Sequence, residues 1–154
     1  MLALMLNEVA PANECVVLLH GLARTSDSMK SLEKRLTIEG FTVVNVDYPS
    51  RKHSIESLAE IAVGQGIEEC VGKSASKINF VTHSLGGILV RIYLKSNQRK
   101  DIGRVVMLGP PNQGSEVVDK LKNAPGFELL NGPAGMQLGT SATDIPKIVG
   151  ASRF

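Results

Sequence analysis

The stretch Val81-Thr82-His83-Ser84-Leu85-Gly86-Gly87 sets a hydroxyl between an apolar run and an amphipathic helix, and it is the segment of the chain best suited to chemistry. A serine held in a tight strand-to-helix turn projects its hydroxyl outward, and the crowding there demands small residues two positions before and two after it. Gly86 meets that demand, while Thr82 departs from the usual glycine but is still compact. Ser84 is therefore the candidate catalytic nucleophile, with helix N-capping as its alternative role. Attack by such a hydroxyl puts negative charge on a carbonyl oxygen, which must meet preorganised donors. Two backbone N–H groups are candidates: that of Leu85, directly after the serine, and that of Leu22 in the turn His20-Gly21-Leu22. Gly21 permits close approach there; a simple strand-to-helix connection is the other reading of that turn.

These turns need elements to hold them. Residues 14–20 form a near-continuous apolar run closed by Gly21, the pattern of a strand buried on both faces. Met29, Leu32 and Leu36 recur at helical spacing before Gly40. The pattern repeats with a strand over 41–46, a helix marked by Ile55, Leu58, Ala59 and Ala62, and a third strand over 78–83. A helix over 85–95 and a fourth strand over 105–108 follow, the latter closed by Gly109-Pro110-Pro111. Alternation of this kind requires right-handed crossovers, hence a three-layer α/β sandwich with a mostly parallel sheet. Residues 123–139 hold four Gly and two Pro and read as loop, and residues 145–149 read as the start of a fifth strand.

Together, His20-Gly21-Leu22, the turn from Thr82 to Gly87 and the segment Leu108-Gly109-Pro110-Pro111-Asn112-Gln113-Gly114-Ser115 resemble bacterial triacylglycerol lipases and related esterases of the α/β-hydrolase superfamily, over about residues 14–121. The resemblance implies that the visible strands are the third to sixth of that fold, in spatial order 4-3-5-6. It also implies ester hydrolysis through an acyl-serine, with Ser84 catalytic, Leu22 and Leu85 forming the oxyanion hole, and His20, Gly21, His83 and Gly86 shaping the supporting turns. The segment after Leu121 would lie where family members place lid or substrate-lining loops.

In such enzymes an acid and then a histidine follow the serine along the chain. No histidine follows Ser84, and His20, His53 and His83 all precede it. The later acids Asp101, Glu116, Asp119, Glu128 and Asp144 do not directly follow a well-formed strand. The simplest expectation is a domain over 14–154 that is incomplete at its C-terminal side, preceded by a leader or residual signal over 1–13. The compartment is then cytoplasmic, or periplasmic or secreted if that leader is an export signal. Two classes of function stay open: a serine hydrolase of carboxylic esters, with thioesterase or acyltransferase as close variants, or an inactive remnant serving as a binding module. The fourth strand would lie at an edge, and either a second copy of the chain or the late Gly-rich segment is expected to cover it.

Cys15 and Cys70 stand far apart without neighbouring ligands, which excludes a metal motif of known spacing. Two readings remain for them: small buried hydrophobes, or a disulfide, since in the implied strand order both lie at the end of the sheet opposite the site. A formal net charge of +2 with scattered Lys and Arg, and no Trp, gives no electrostatic or stacking surface for nucleic acid. No apolar run approaches the length of a membrane span. The expected partner is a small-molecule or lipid ester, with no cofactor and no metal.

Overall fold

The computed structural model describes residues 13–112, 114–141 and 144–146. The four apolar runs become strands β1 (Glu14–Leu19), β2 (Thr42–Val46), β3 (Lys77–His83) and β4 (Ile102–Leu108). They form one parallel sheet in the order β2-β1-β3-β4, which is the order expected. Because side chains alternate across a strand, Cys15, Val17 and Leu19 enter one core and Val16 and Leu18 the other.

The smaller core is closed by a 3-10 turn (Ser26–Met29) leading into α1 (Lys30–Ile38), through Met29, Leu32 and Leu36. The larger lies under α2 (Ile55–Leu58), a π-helical stretch (Ala59–Val63) and α3 (Gly64–Gly72), and under α4 (Leu85–Ser96). Ser54 caps α2, its hydroxyl accepting from the Ser57 N–H. Burying each large apolar side chain of these cores stabilises the fold by about 1.5–3 kcal/mol, so β1, buried on both faces, is its centre.

Cys15 and Cys70 form a disulfide that ties α3 to the first residues of β1, at the end of the sheet away from the β-to-α turns. The bridge closes a sequence separation of 55 residues. Of the two readings of these cysteines, the structure selects the bridge, and both residues are also fully buried.

The late segment corrects the expectation of loop. After α5 (Glu116–Leu121), capped by Ser115, the chain forms α6 (Phe127–Met136). Its glycines and prolines punctuate helical turns rather than replace them. Gly126 enters the helix at φ 82°, Gly132 breaks it at φ 68° and ψ −174°, and Pro133 restarts it. A proline in a first turn forfeits only an N–H that has no helical partner anyway. Of the expected fifth strand, Ile145 and Pro146 are helical, and residues 147–149 lie outside the described residues, as do residues 1–12 of the expected leader.

Among the described residues the sheet ends at β4, where Val106 and Leu108 are 48% and 46% exposed. The late segment, one of the two expected covers, lies instead over the carboxyl ends of the strands. Gly135 packs on Leu22, Gly132 on the Arg51 carbonyl, the Gln137 side chain accepts from the Ile55 N–H at 2.7 Å, and the Ser115 N–H donates to the Leu138 carbonyl at 2.7 Å.

Candidate active site

Strand β3 hands the chain to α4 through a single residue, Ser84, at φ 51° and ψ −116°. A non-glycine residue in such a region costs on the order of 1–3 kcal/mol and persists only where its surroundings fix it. Here the Ser84 N–H donates to the Leu108 carbonyl at 2.9 Å and the Ser84 carbonyl accepts from the Gly87 N–H at 3.1 Å. The side chain makes no cap to its own helix, so the N-cap reading does not hold and the hydroxyl is left for other work.

Two glycines bring the neighbouring turn against this one. A Cβ on Gly86 would stand 2.8 Å from the Leu19 carbonyl oxygen and 2.9 Å from Leu19 Cβ, so α4 presses directly on the end of β1. A Cβ on Gly21 would stand 2.8 Å from His83 Nδ1 and 3.3 Å from Ser84 Cβ. The structure thus places Gly21, His83 and Ser84 in one small region, with Leu22 and Leu85 as the residues that continue each turn. The Leu85 N–H opens α4 and has no carbonyl partner within that helix.

The orientation of the Leu22 N–H follows from its peptide partner. The Gly21 carbonyl accepts from His20 Nδ1–H at 2.9 Å and from the Arg24 N–H at 3.2 Å. The peptide is planar and trans, so fixing that carbonyl aims the Leu22 N–H the opposite way. His20 is itself wholly buried, stacked on the Tyr48 ring at 4.0 Å, and its Nε2 accepts from the Tyr48 N–H at 3.3 Å. The Tyr48 hydroxyl donates to the His20 carbonyl. Burial lowers the His20 pKa, against smaller raising contributions from the Gly21 carbonyl and from Asp47, whose Oδ1 lies 3.6 Å from Nε2. His20 is therefore a neutral brace with both nitrogens engaged, not a base for Ser84. Ser50, buried, completes the brace by accepting from the Ala23 N–H at 3.0 Å.

None of the other titratable candidates is hydrogen-bonded to Ser84. His83 is exposed beside Gly21, and His53 is exposed in the loop before α2. Asp101 pairs with Arg99 at 2.6 Å. Asp119 accepts from the Thr140 N–H and hydroxyl, which lower its pKa, and Asp144 accepts from the Ser141 N–H at 3.0 Å. Glu116 and Glu128 sit in the first turns of α5 and α6. Among the described residues no cluster of His, Cys, Asp or Glu could hold a metal ion, and no helix is long and apolar enough to cross a membrane.

Sequence reasoning missed Tyr48, Ser50 and Arg91. Arg91 is 2% exposed on α4, where its Nη1 donates to Asn112 Oδ1 at 2.6 Å and so anchors the turn after β4. Its Nε and Nη2 have no partner among the described residues, and burial lowers its pKa. The available signal was a charge at i+3 from Ile88 and i+4 from Gly87, on the helix face that faces the sheet.

The sequence model of the palmitoyl protein thioesterase family matches residues 15–144. Among curated protein sequences none matches. Of solved structures, a Bacillus licheniformis lipase in its mature form superposes with a TM-score of 0.70 at 20% identity, covering 91% of this chain and 64% of its own. The phospholipase PlaB of Legionella pneumophila superposes at 0.65 and 17% identity, covering 88% of this chain and 34% of its own. An Exiguobacterium antarcticum esterase does so at 0.58 and 20% identity, with 70% and 46% covered. At such identities the likeness is one of fold, that of the α/β-hydrolases. The chain spans less than two thirds of the length of each of these proteins.

Proposed function

This chain belongs to the palmitoyl protein thioesterase family, and we propose that it is built to cleave long-chain acyl esters or thioesters through an acyl-serine at Ser84. The observation that carries the reading is the backbone of Ser84, held at positive φ between β3 and α4 with its hydroxyl uncommitted to capping. In the reaction Ser84 Oγ bonds to the acyl carbon as its proton passes to a water molecule of the solvent. The tetrahedral oxyanion takes hydrogen bonds from the Leu22 and Leu85 N–H groups, and the C–O or C–S bond to the leaving group breaks as that group gains a proton. Water then attacks the acyl-serine and releases the acid. Half-buried Leu22 and the exposed Leu129 and Leu130 of α6 offer apolar surface for the acyl chain, whereas Leu85 and Ile88 are wholly buried in the core.

No side chain among the described residues accepts the Ser84 proton by a hydrogen bond, and no histidine follows Ser84 in the sequence. Both half-reactions are then slow, and deacylation is the slower one with a p-nitrophenyl ester, whose leaving group departs without a proton while the attacking water must still be activated. The test incubates the chain and its Ser84→Ala variant with p-nitrophenyl butyrate and reads both released p-nitrophenol and protein mass. The expected result is one added acyl group per chain, on Ser84 and absent from the variant. Equal release by the two proteins, with no acyl mass added to either, would overturn the reading and leave the fold as a binding module.

A further inference from the structure

Beside the Gly21 turn lies an open cleft of about 320 Å³ walled by Arg24, Asp47, Tyr48, Ser50, Arg51 and Lys52. Three of these are cations, all exposed, and among the described residues none of the three is paired with a carboxylate. Asp47 is the one acid of the wall, and its Oδ1 is engaged by the Ser26 N–H at 3.0 Å and faces His20. The cleft therefore carries an excess of positive charge.

Its walls are also braced. The loop after β2 folds on itself, with the Ser50 N–H donating to the Tyr48 carbonyl at 2.8 Å and the Lys52 N–H to the Pro49 carbonyl at 2.9 Å. Ser50 Oγ joins this loop to Ala23 on the opposite wall. From above, Gly132 packs on the Arg51 carbonyl and Arg51 Nη1 donates to the Leu130 carbonyl at 3.3 Å, which leaves the rest of the guanidinium uncommitted. Strand β2 is two places from β3 in the sheet, a separation of roughly 10 Å at ordinary strand spacing, with the cleft beyond the end of β2 and Ser84 at the end of β3.

We propose that this cleft binds a phosphate group carried by the leaving part of the substrate, so that the acyl carbonyl at Ser84 and a phosphate beyond the Leu22 turn are held together. Two arginine forks and a lysine suit a multiply charged phosphate, whereas one fork would suffice for a carboxylate. The proposal rests on the acyl-serine reading above and narrows its substrate to phosphate-bearing acyl esters or thioesters. A phosphorylated lipid headgroup and a phosphorylated thiol carrier share this chemistry.

Calorimetric titration of the intact chain at low salt with coenzyme A and with sn-glycerol 3-phosphate separates the two, with pantetheine and glycerol as phosphate-free controls. Binding at about millimolar Kd or tighter is expected for at least one phosphate compound and for neither control. Coenzyme A alone would identify the thiol carrier, and glycerol phosphate the lipid headgroup. The double variant Arg24→Gln, Arg51→Gln, at exposed positions outside the Ser84 machinery, should lose affinity about tenfold or more. Absence of binding by both compounds, or equal binding by the double variant, overturns the proposal. Acylation of Ser84, measured separately, distinguishes the failures: an acylated serine with no phosphate affinity overturns the cleft alone, whereas phosphate affinity with no acylation overturns the acyl-serine reading and with it the assignment of the phosphate to a leaving group.

Discussion

Strands β1 and β4 are composed almost alike, each with a Val-Val pair followed by large apolar residues, yet their surroundings differ sharply. From Cys15 to Leu19 every residue of β1 is buried, whereas β4 leaves Val106 and Leu108 about half exposed. The difference lies in what stands alongside: β1 has a strand on either side, α1 over one face and α3 over the other, while among the described residues β4 has β3 on one side only. An apolar run states that a strand is meant to be buried. The neighbours decide whether it is.

That contrast can be broken or sharpened by mutation. The largest expected effect comes from the β1 end of the sheet, where replacing Cys15 and Cys70 by Ala frees a separation of 55 residues in the unfolded chain. The loss is about 4 kcal/mol on the chain-entropy account, read from urea unfolding. Next, Leu18→Ala should cost about 3 kcal/mol, against less than about 1 kcal/mol for Leu108→Ala, because only the first opens a cavity in a closed core. Equal costs would mean that β4 is covered in solution. Gly86→Ala should follow at about 1–3 kcal/mol, since its Cβ meets backbone at the end of β1 and forces α4 outward. The same substitution should slow acylation of Ser84, as the Leu85 N–H moves with the helix.

The smallest effect is one of pH. Burial depresses the His20 pKa in the folded protein below its ordinary 6.5. Between the two values the unfolded chain binds more protons. The stability that neutral His20 contributes is thus full above pH 6.5 and is lost as pH falls toward the folded value. Unfolding free energy measured against pH should decline below pH 6.5 in the native chain, and less so in His20→Asn, which keeps a donor and an acceptor.

Much of this was legible beforehand because it is written locally. Strand and helix alternation follows from short β-branched runs and 3.6-residue periodicity, and the strand order follows from the resemblance carried by the turns around Gly21, Ser84 and Pro110. The region around Ser84 was legible for the same reason, since a strand, a serine, a glycine and a helix are contiguous there. The late helix was not, because Gly132 and Pro133 look alike whether they interrupt a helix or replace it. The Tyr48 stack on His20 joins residues 28 apart, and the Arg91 bond to Asn112 joins residues 21 apart. Such partners emerge only once the sheet has brought the turns together. The disulfide lay between: the strand order made it geometrically reasonable, and packing of α3 on β1 made it actual.

The central claim is that the turn between β3 and α4 presents Ser84 as a nucleophile beside two oxyanion donors. The most direct test exposes the folded chain to a fluorophosphonate and maps the adduct by peptide mass spectrometry. The account predicts phosphonylation at Ser84, abolished in Ser84→Ala and strongly slowed by prior unfolding. An intact chain that stays unmodified at Ser84, or that reacts equally well when unfolded, would contradict it.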